Sequence, residues 1–181
     1  NAAELATAMG DAAKRLSFAE GNALSLGFSN AFDVVITNRC LINLTETSLQ
    51  MKAIDNIAAA LKPGGLLLML ENNKQTHASQ NEARQCLGLS PRKPADFNLF
   101  LDEDIILPHC AKAFDLVTIE DFGSLHDLLL YVILPSLNNG EIDYDHPAVA
   151  KAVELTMGLH AQYGYPFGAF GQNRLYVYKR K

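Results

Sequence analysis

The sequence predicts an α/β fold in which a mostly parallel sheet, flanked by helices, ends in an antiparallel strand. Three observations carry that prediction. Residues 32–37 and 66–71 are short, nearly continuous apolar runs, the pattern of strands covered on both faces. Between them Ile54, Ile57, Ala58 and Leu61 recur at helical spacing. The connections are short, as in a right-handed strand–helix–strand unit.

Composition sets the outer bounds. The chain has 181 residues, 49% of them hydrophobic, enough for one globular core, and no domain boundary shows between residues 1 and 181. No apolar run approaches the ~20 residues of a membrane-spanning helix, so no span is expected. The net charge is −5, and basic residues cluster only at Lys179, Arg180 and Lys181. A surface that tracks phosphates carries a basic stripe, so nucleic acid is not the expected partner. Cys40, Cys86 and Cys110 are odd in number and lack ligand spacing. They read as small buried residues of a reducing compartment, which points to the cytoplasm. None of the five histidines makes a metal pair, so no metal is expected.

The elements follow in order. Leu5, Met9, Ala12 and Leu16 form an apolar stripe that predicts a helix over 2–16. A short strand is expected over 16–20, closed by Gly21 and Asn22, with loop over 22–31. The strand at 32–37 runs into Asn38, Arg39 and Cys40. Thr47 and Gln50 have the spacing of a capping box at the next helix start. Lys62 suits that helix's last turn, and Pro63, Gly64 and Gly65 stop it. The strand at 66–71 ends on Glu71, Asn72 and Asn73. Residues 74–100 read as polar and irregular, with a short helix over 81–87. A helix is expected within 101–113, with Asp102, Glu103 and Asp104 in its first turn. Then come a strand at 114–122, an apolar stretch at 125–137, a turn at Asn138, Asn139 and Gly140, and a helix over 147–162. An alternating strand at 175–178 closes the chain. Residues 123–172 form an insertion between the last two strands, expected to be helical and to cover a substrate.

In sheets of this kind ligands sit outside the carboxyl ends of the strands. Gly21-Asn22, Thr37-Asn38-Arg39 and Glu71-Asn72-Asn73 all fall on that edge. This convergence is the first functional indication, and it comes from position.

Three segments carry a family resemblance. Residues 18–24 (Phe-Ala-Glu-Gly-Asn-Ala-Leu), 32–37 (Phe-Asp-Val-Val-Ile-Thr) and 61–68 (Leu-Lys-Pro-Gly-Gly-Leu-Leu-Leu) resemble the end of the third strand, the fourth strand and the turn into the fifth strand of the class I S-adenosylmethionine-dependent methyltransferases. The likeness is good over 1–73 and loose over 74–181. It implies a Rossmann-like sheet with an antiparallel last strand and S-adenosylmethionine as cofactor. Asn22 falls where the family faces the adenine amino group, and Ala23 would offer its N–H to the ring. Thr37, Asn38 and Arg39 follow the fourth strand, near the methionine part. The family's glycine-rich first loop and the acid that holds the ribose are both absent. The missing strand–loop–helix–strand unit would be roughly 30–40 residues, so the N-terminal strands are expected to lie upstream of Asn1. Without them the strand at 16–20 would have no neighbour.

The activity so implied is transfer of a methyl group to an oxygen or nitrogen of a small or medium-sized acceptor. Methyl transfer from a sulfonium needs alignment and exclusion of water, with a base when the acceptor is a hydroxyl. No fixed catalytic signature exists to be found, so the catalytic residues stay unassigned. Glu71, Asn73 and His126 are the candidate acceptor contacts. Each has a plainer reading: Glu71 as a solvated carboxylate capping the next turn, His126 as a histidine packed at a helix start. Arg39 could instead pair with Asp33. Tyr163, Tyr165, Phe167 and Phe170 could line an acceptor pocket or pack the insertion onto the sheet. Two other classes stay open. One is a non-catalytic methyltransferase-like subunit, which predicts an apolar patch beside the sheet and dimers. The other is a different nucleotide-dependent enzyme, such as a nicotinamide oxidoreductase, against which the Leu-Lys-Pro-Gly-Gly turn argues. A homodimer is an open partner.

Overall fold

The computed structural model describes residues 7, 9, 14–121, 123–163 and 168–181. Apart from Thr7 and Met9, which are helical, the first helix up to residue 13 lies outside them.

Four strands form one sheet: β1 (Phe32–Asn38), β2 (Leu61–Asn72), β3 (Phe114–Glu120) and β4 (Asn173–Arg180), in the order β1-β2-β4-β3. β1 and β2 are parallel, and β4 runs antiparallel to both β2 and β3. The antiparallel last strand therefore sits inside the sheet. The helices are α1 (Thr47–Ala60), α2 (Lys74–Cys86), α3 (Glu103–Cys110), α4 (124–137, with a π turn at 129–133) and α5 (Pro147–Tyr163).

One face of the sheet holds the core. Leu67 and Met69 of β2, Tyr176 and Tyr178 of β4 and Phe114 of β3 pack against Ala53, Ile54, Ile57 and Ala58 of α1 and Ile106 and Cys110 of α3. The period-two alternation of β2 and β4 puts these side chains on one side.

The other face is different. Val34 is 46% exposed and Ile36 67% exposed, so β1 is an edge strand that is not covered on both faces as its sequence predicts. Continuous apolar residues mark a strand able to be covered twice; they do not supply the cover. The expected strand at 16–20 is absent for a related reason. Those residues pair with no strand, and Phe18 is 59% exposed. An extended segment becomes a strand only through ladder hydrogen bonds.

The start of α1 also departs from the sequence. Its N-cap is Glu46, and no side chain caps it. Gln50 is buried, and its amide donates to the carbonyls of Leu41 and Leu99 at 3.3 and 2.8 Å. The capping box is therefore not formed. Lys62 lies past the helix in β2, where its ammonium meets Asp33 at 2.8 Å. That contact also removes the suggested Arg39–Asp33 pair.

Helix α2 is longer than the expected 81–87, because its buried stripe is polar. Thr76, His77, Gln80 and Arg84 face inward, so hydrophobic periodicity gives no signal. Its start is set by Asn73, whose Oδ1 accepts the Thr76 N–H at 2.8 Å. Cys40 and Cys86 are exposed, and of the three cysteines only Cys110 is buried as expected. No helix among the described residues is long and apolar enough to cross a membrane.

Candidate functional site

Because β3 and β2 both oppose β4, β1, β2 and β3 all point the same way. Their carboxyl ends at Asn38, Asn72 and Glu120 meet the start of β4 at Asn173. On this edge lies a cavity of about 770 Å³, within the size range of small-molecule sites. Arg39 enters it from β1, Glu120 from β3, Asn173 and Leu175 from β4. His126, Asp127 and Tyr131 of α4 and Thr156 and Met157 of α5 form the opposite wall. The segment between β3 and β4 thus closes one side.

The loop after β1 is fixed by a buried acid. Glu71 has no solvent exposure. Its Oε1 accepts the N–H groups of Cys40 and Leu41 at 3.1 and 3.2 Å, and its Oε2 that of Ile42 at 3.3 Å. Burial pushes its carboxyl above the ordinary range, opposed by these donors and by the neighbouring Thr37 hydroxyl. Glu71 is thus a buried cap of the turn at Leu41–Asn43, not a solvated one, and it does not line the cavity. Arg39 takes a left-handed conformation, φ 49°. Its N–H donates to Leu70 at 2.8 Å and its carbonyl accepts from Asn43 at 2.7 Å, which together hold a geometry that costs a non-glycine residue about 1–2 kcal/mol. That bend takes Arg39 to the cavity wall.

The other candidates are distributed unevenly. Thr37 is buried, and its Oγ1 has no hydrogen-bond partner. Asn38 is exposed at the end of β1. Asn22 lies in the loop before β1, where its Oδ1 accepts the Leu24 N–H at 2.9 Å, and the Ala23 carbonyl accepts from Asn56 at 2.9 Å. Asn73 is fully buried; beyond capping α2 it donates to the Tyr176 hydroxyl at 2.7 Å. That hydroxyl donates to Glu103, which also holds Arg174 at 2.7 Å. The cavity therefore brings together Arg39 and His126, and leaves Asn22, Ala23, Glu71 and Asn73 elsewhere. Tyr165 and Phe167 lie outside the described residues, as does the side chain of Tyr163; the Phe170 carbonyl accepts from Gln80.

Sequence reasoning did not find Asp127, Gln80 or Gln172. Asp127 is buried next to His126, 2.7 Å from its Nδ1. Its second oxygen accepts the Gln172 N–H at 2.5 Å and the Gln80 amide at 3.2 Å. A signal was present: His126 and Asp127 stand side by side as polar residues within the apolar stretch 125–137. Close by, Asp121 accepts from the Ser124 hydroxyl at 2.8 Å and the Gly171 N–H at 3.3 Å, and burial raises its carboxyl above the ordinary range. Burial also pushes the Tyr131 hydroxyl up to about 12, under the Arg92 guanidinium 3.5 Å from its ring centre. Among the described residues no group of His, Cys, Asp and Glu is placed to hold a metal ion.

Comparison with known proteins follows the same line. Residues 1–69 match the family model described as a methyltransferase domain. No curated protein matches the chain. Among solved structures, the cyclase SpnF is 23% identical with a TM-score of 0.54, over 99% of this chain and 60% of that one. The N-methyltransferase NodS from Bradyrhizobium japonicum WM9, solved with S-adenosyl-L-homocysteine, is 14% identical with a TM-score of 0.46, over 94% of this chain and 58% of its own. The YcgJ protein from Bacillus subtilis is 13% identical with a TM-score of 0.49, over 99% of this chain and 76% of that one. The chain thus spans about 60% of the length of the first two structures. Over residues 1–69 the chain is thus similar to a methyltransferase domain, and its fold is like that of SpnF.

Proposed function

We propose that the protein containing this chain transfers a methyl group from S-adenosylmethionine to an oxygen or nitrogen atom of a small or medium-sized acceptor. The observation that carries the reading is the cavity at the carboxyl edge, to which the segment that matches a methyltransferase domain contributes Arg39. When bound, the cofactor supplies an already activated methyl group. One feature here fits its amino-acid end: the Arg39 cation on the cavity wall. Arg39 would meet a carboxylate, and Thr37 and Asn38 would orient it. The Asn22 oxygen already holds the Leu24 N–H, so it would have to turn to meet an adenine. The helices of 123–172 would cover the acceptor and exclude water.

The test is calorimetric binding of S-adenosylhomocysteine to the natural full-length protein, with methyl release measured alongside. Affinity in the micromolar range is expected, and Arg39→Ala should weaken it about tenfold through loss of one charge-assisted contact. No binding by the full-length protein would overturn the reading.

The second reading is a non-catalytic methyltransferase-like subunit. The bare apolar face of β1 favours it, since Val34 and Ile36 are free to meet a partner. A full-length protein that bound neither cofactor nor product but formed a stable complex would select this reading.

A further inference from the structure

We infer that His126 is the general base of the cavity, that Asp127 is its positioning residue, and that the acceptor's reacting atom is a hydroxyl oxygen. The inference rests on the methyl-transfer reading and narrows it.

The argument starts from the buried carboxylate. Asp127 has lost nearly all contact with water. A buried charge is tolerated only with full hydrogen bonding. It has three donors: the Gln172 N–H from the start of β4, the Gln80 amide from α2 and the His126 ring from its own helix. The first two clip three elements together and fill one oxygen. The third fills the other oxygen, and it fixes the ring. An ionised carboxylate only accepts, so the ring nitrogen facing it, Nδ1, carries the hydrogen. Nε2 is then the basic nitrogen, and it makes no hydrogen bond among the described residues. The ring is 30% exposed and lies on the cavity wall.

A free, oriented imidazole nitrogen beside a buried carboxylate is the arrangement that general-base catalysis needs. A structural clip would be complete with Gln80 and Gln172 and would have no use for an open nitrogen on a cavity. Among the described residues, the other titratable groups that line this space are Arg39, which follows β1, Glu120 from β3 and Tyr131 from α4. Burial keeps Tyr131 protonated, so it can donate but not accept a proton at neutral pH. Among the described residues Glu120 is held by the Thr118 hydroxyl, at 2.9 Å, and not by a buried charged group.

The chemistry selects the acceptor. A neutral amine can attack a sulfonium without first losing a proton, but a hydroxyl needs its proton removed as the bond forms. The hydroxyl oxygen bonds to the methyl carbon while the carbon–sulfur bond breaks and its electron pair stays on sulfur. The hydroxyl proton moves to Nε2. The resulting imidazolium faces Asp127, whose charge balances it until the proton leaves to solvent.

The experiment uses the natural full-length protein and has two arms. In the first, carbethoxylation by diethyl pyrocarbonate is followed residue by residue with mass spectrometry. His126 is expected to react several-fold faster than His109, whose Nε2 is held by Asp55 at 2.8 Å. Asp127→Asn should slow His126 several-fold and leave His109 unchanged. A His126 rate that ignores Asp127→Asn overturns the proposal. In the second arm, methyl release is measured with catechol and methyl glucoside as hydroxyl probes and glucosamine as an amine probe. His126→Asn, which keeps a donor for Asp127, is expected to lower kcat on a hydroxyl probe about 100-fold, with KM and S-adenosylhomocysteine binding nearly unchanged. Methyl transfer to glucosamine nitrogen alone, or an unchanged kcat in His126→Asn, overturns the proposal while the cofactor reading stands. Failure of the wild type to bind S-adenosylhomocysteine overturns both.

Discussion

At the scale of the residue, Glu71 shows how one side chain can set a loop. Three consecutive N–H groups at 40–42 point at its carboxylate. Holding them fixes the turn from which Arg39 reaches the cavity. The arrangement has a pH signature. Burial raises the folded-state pKa of Glu71, with the hydrogen bonds only partly opposing it. The folded chain therefore keeps this proton at a pH where the unfolded chain has released it. The stability so contributed is fully present below the ordinary carboxylate pKa and is lost as pH rises through the folded value. Glu71→Gln removes the titration. In urea unfolding, the wild type should lose stability relative to Glu71→Gln as the pH rises above the ordinary carboxylate range. A difference that stays flat, or moves in favour of the wild type, would contradict this account.

At the scale of the element, the junction between α1 and β2 is the most demanding. Phe32 pairs with Leu61, but Val34 already pairs with Leu66, so residues 62–65 bulge out of register. Gly64 takes φ +78° in that bulge. Gly65 is pressed against backbone: a Cβ there would lie 2.9 Å from the Lys62 carbonyl and 3.0 Å from that of Asp33. Backbone cannot move aside as a side chain can. Gly65→Ala should therefore cost about 1–3 kcal/mol, seen as a melting temperature lower by several degrees. Gly21→Ala, which meets nothing within 4 Å, is the control and should change stability by less than about 0.5 kcal/mol. Equal melting temperatures for the two variants would show that the bulge relaxes freely. This junction was legible in the sequence because Pro63, Gly64 and Gly65 have few conformational uses. Helix α2 was read too short because its buried face is Thr76, His77, Gln80 and Arg84, and Gln80 and Arg84 find partners such as Asp127 and Tyr131 only in three dimensions. The same holds for the site. Arg39 and His126 could be named from their places after strands, but Asp127, Gln80 and Gln172 come together from three separated segments. The Asn73 cap could be read only once the true start of α2 was known.

At the scale of the whole molecule, the sheet is unevenly covered. One face packs on α1 and α3, while the other leaves Val34 and Ile36 of the edge strand β1 open to water. An edge strand with an apolar face and free backbone groups is a template for another strand. The cavity is built mainly from β3, β4, α4 and α5. Pairing at the far edge would therefore use a different surface from the one that binds small molecules. For the 181-residue chain on its own, sedimentation velocity should show association that grows with concentration. Ile36 is the residue to change, because it is 67% exposed and contributes nothing to the packed core. A lysine there keeps the strand's outward register but puts a charge where a second apolar strand would have to dock. Ile36→Lys should weaken association on the order of tenfold, with the melting temperature of the monomer nearly unchanged. Association of equal strength in both proteins would place the contact elsewhere, with the exposed Leu116 and Val117 of the opposite edge strand β3 next to be tested. A monomeric wild type would show that the open face of β1 tolerates water without a partner, and would remove the observation that favours the non-catalytic reading.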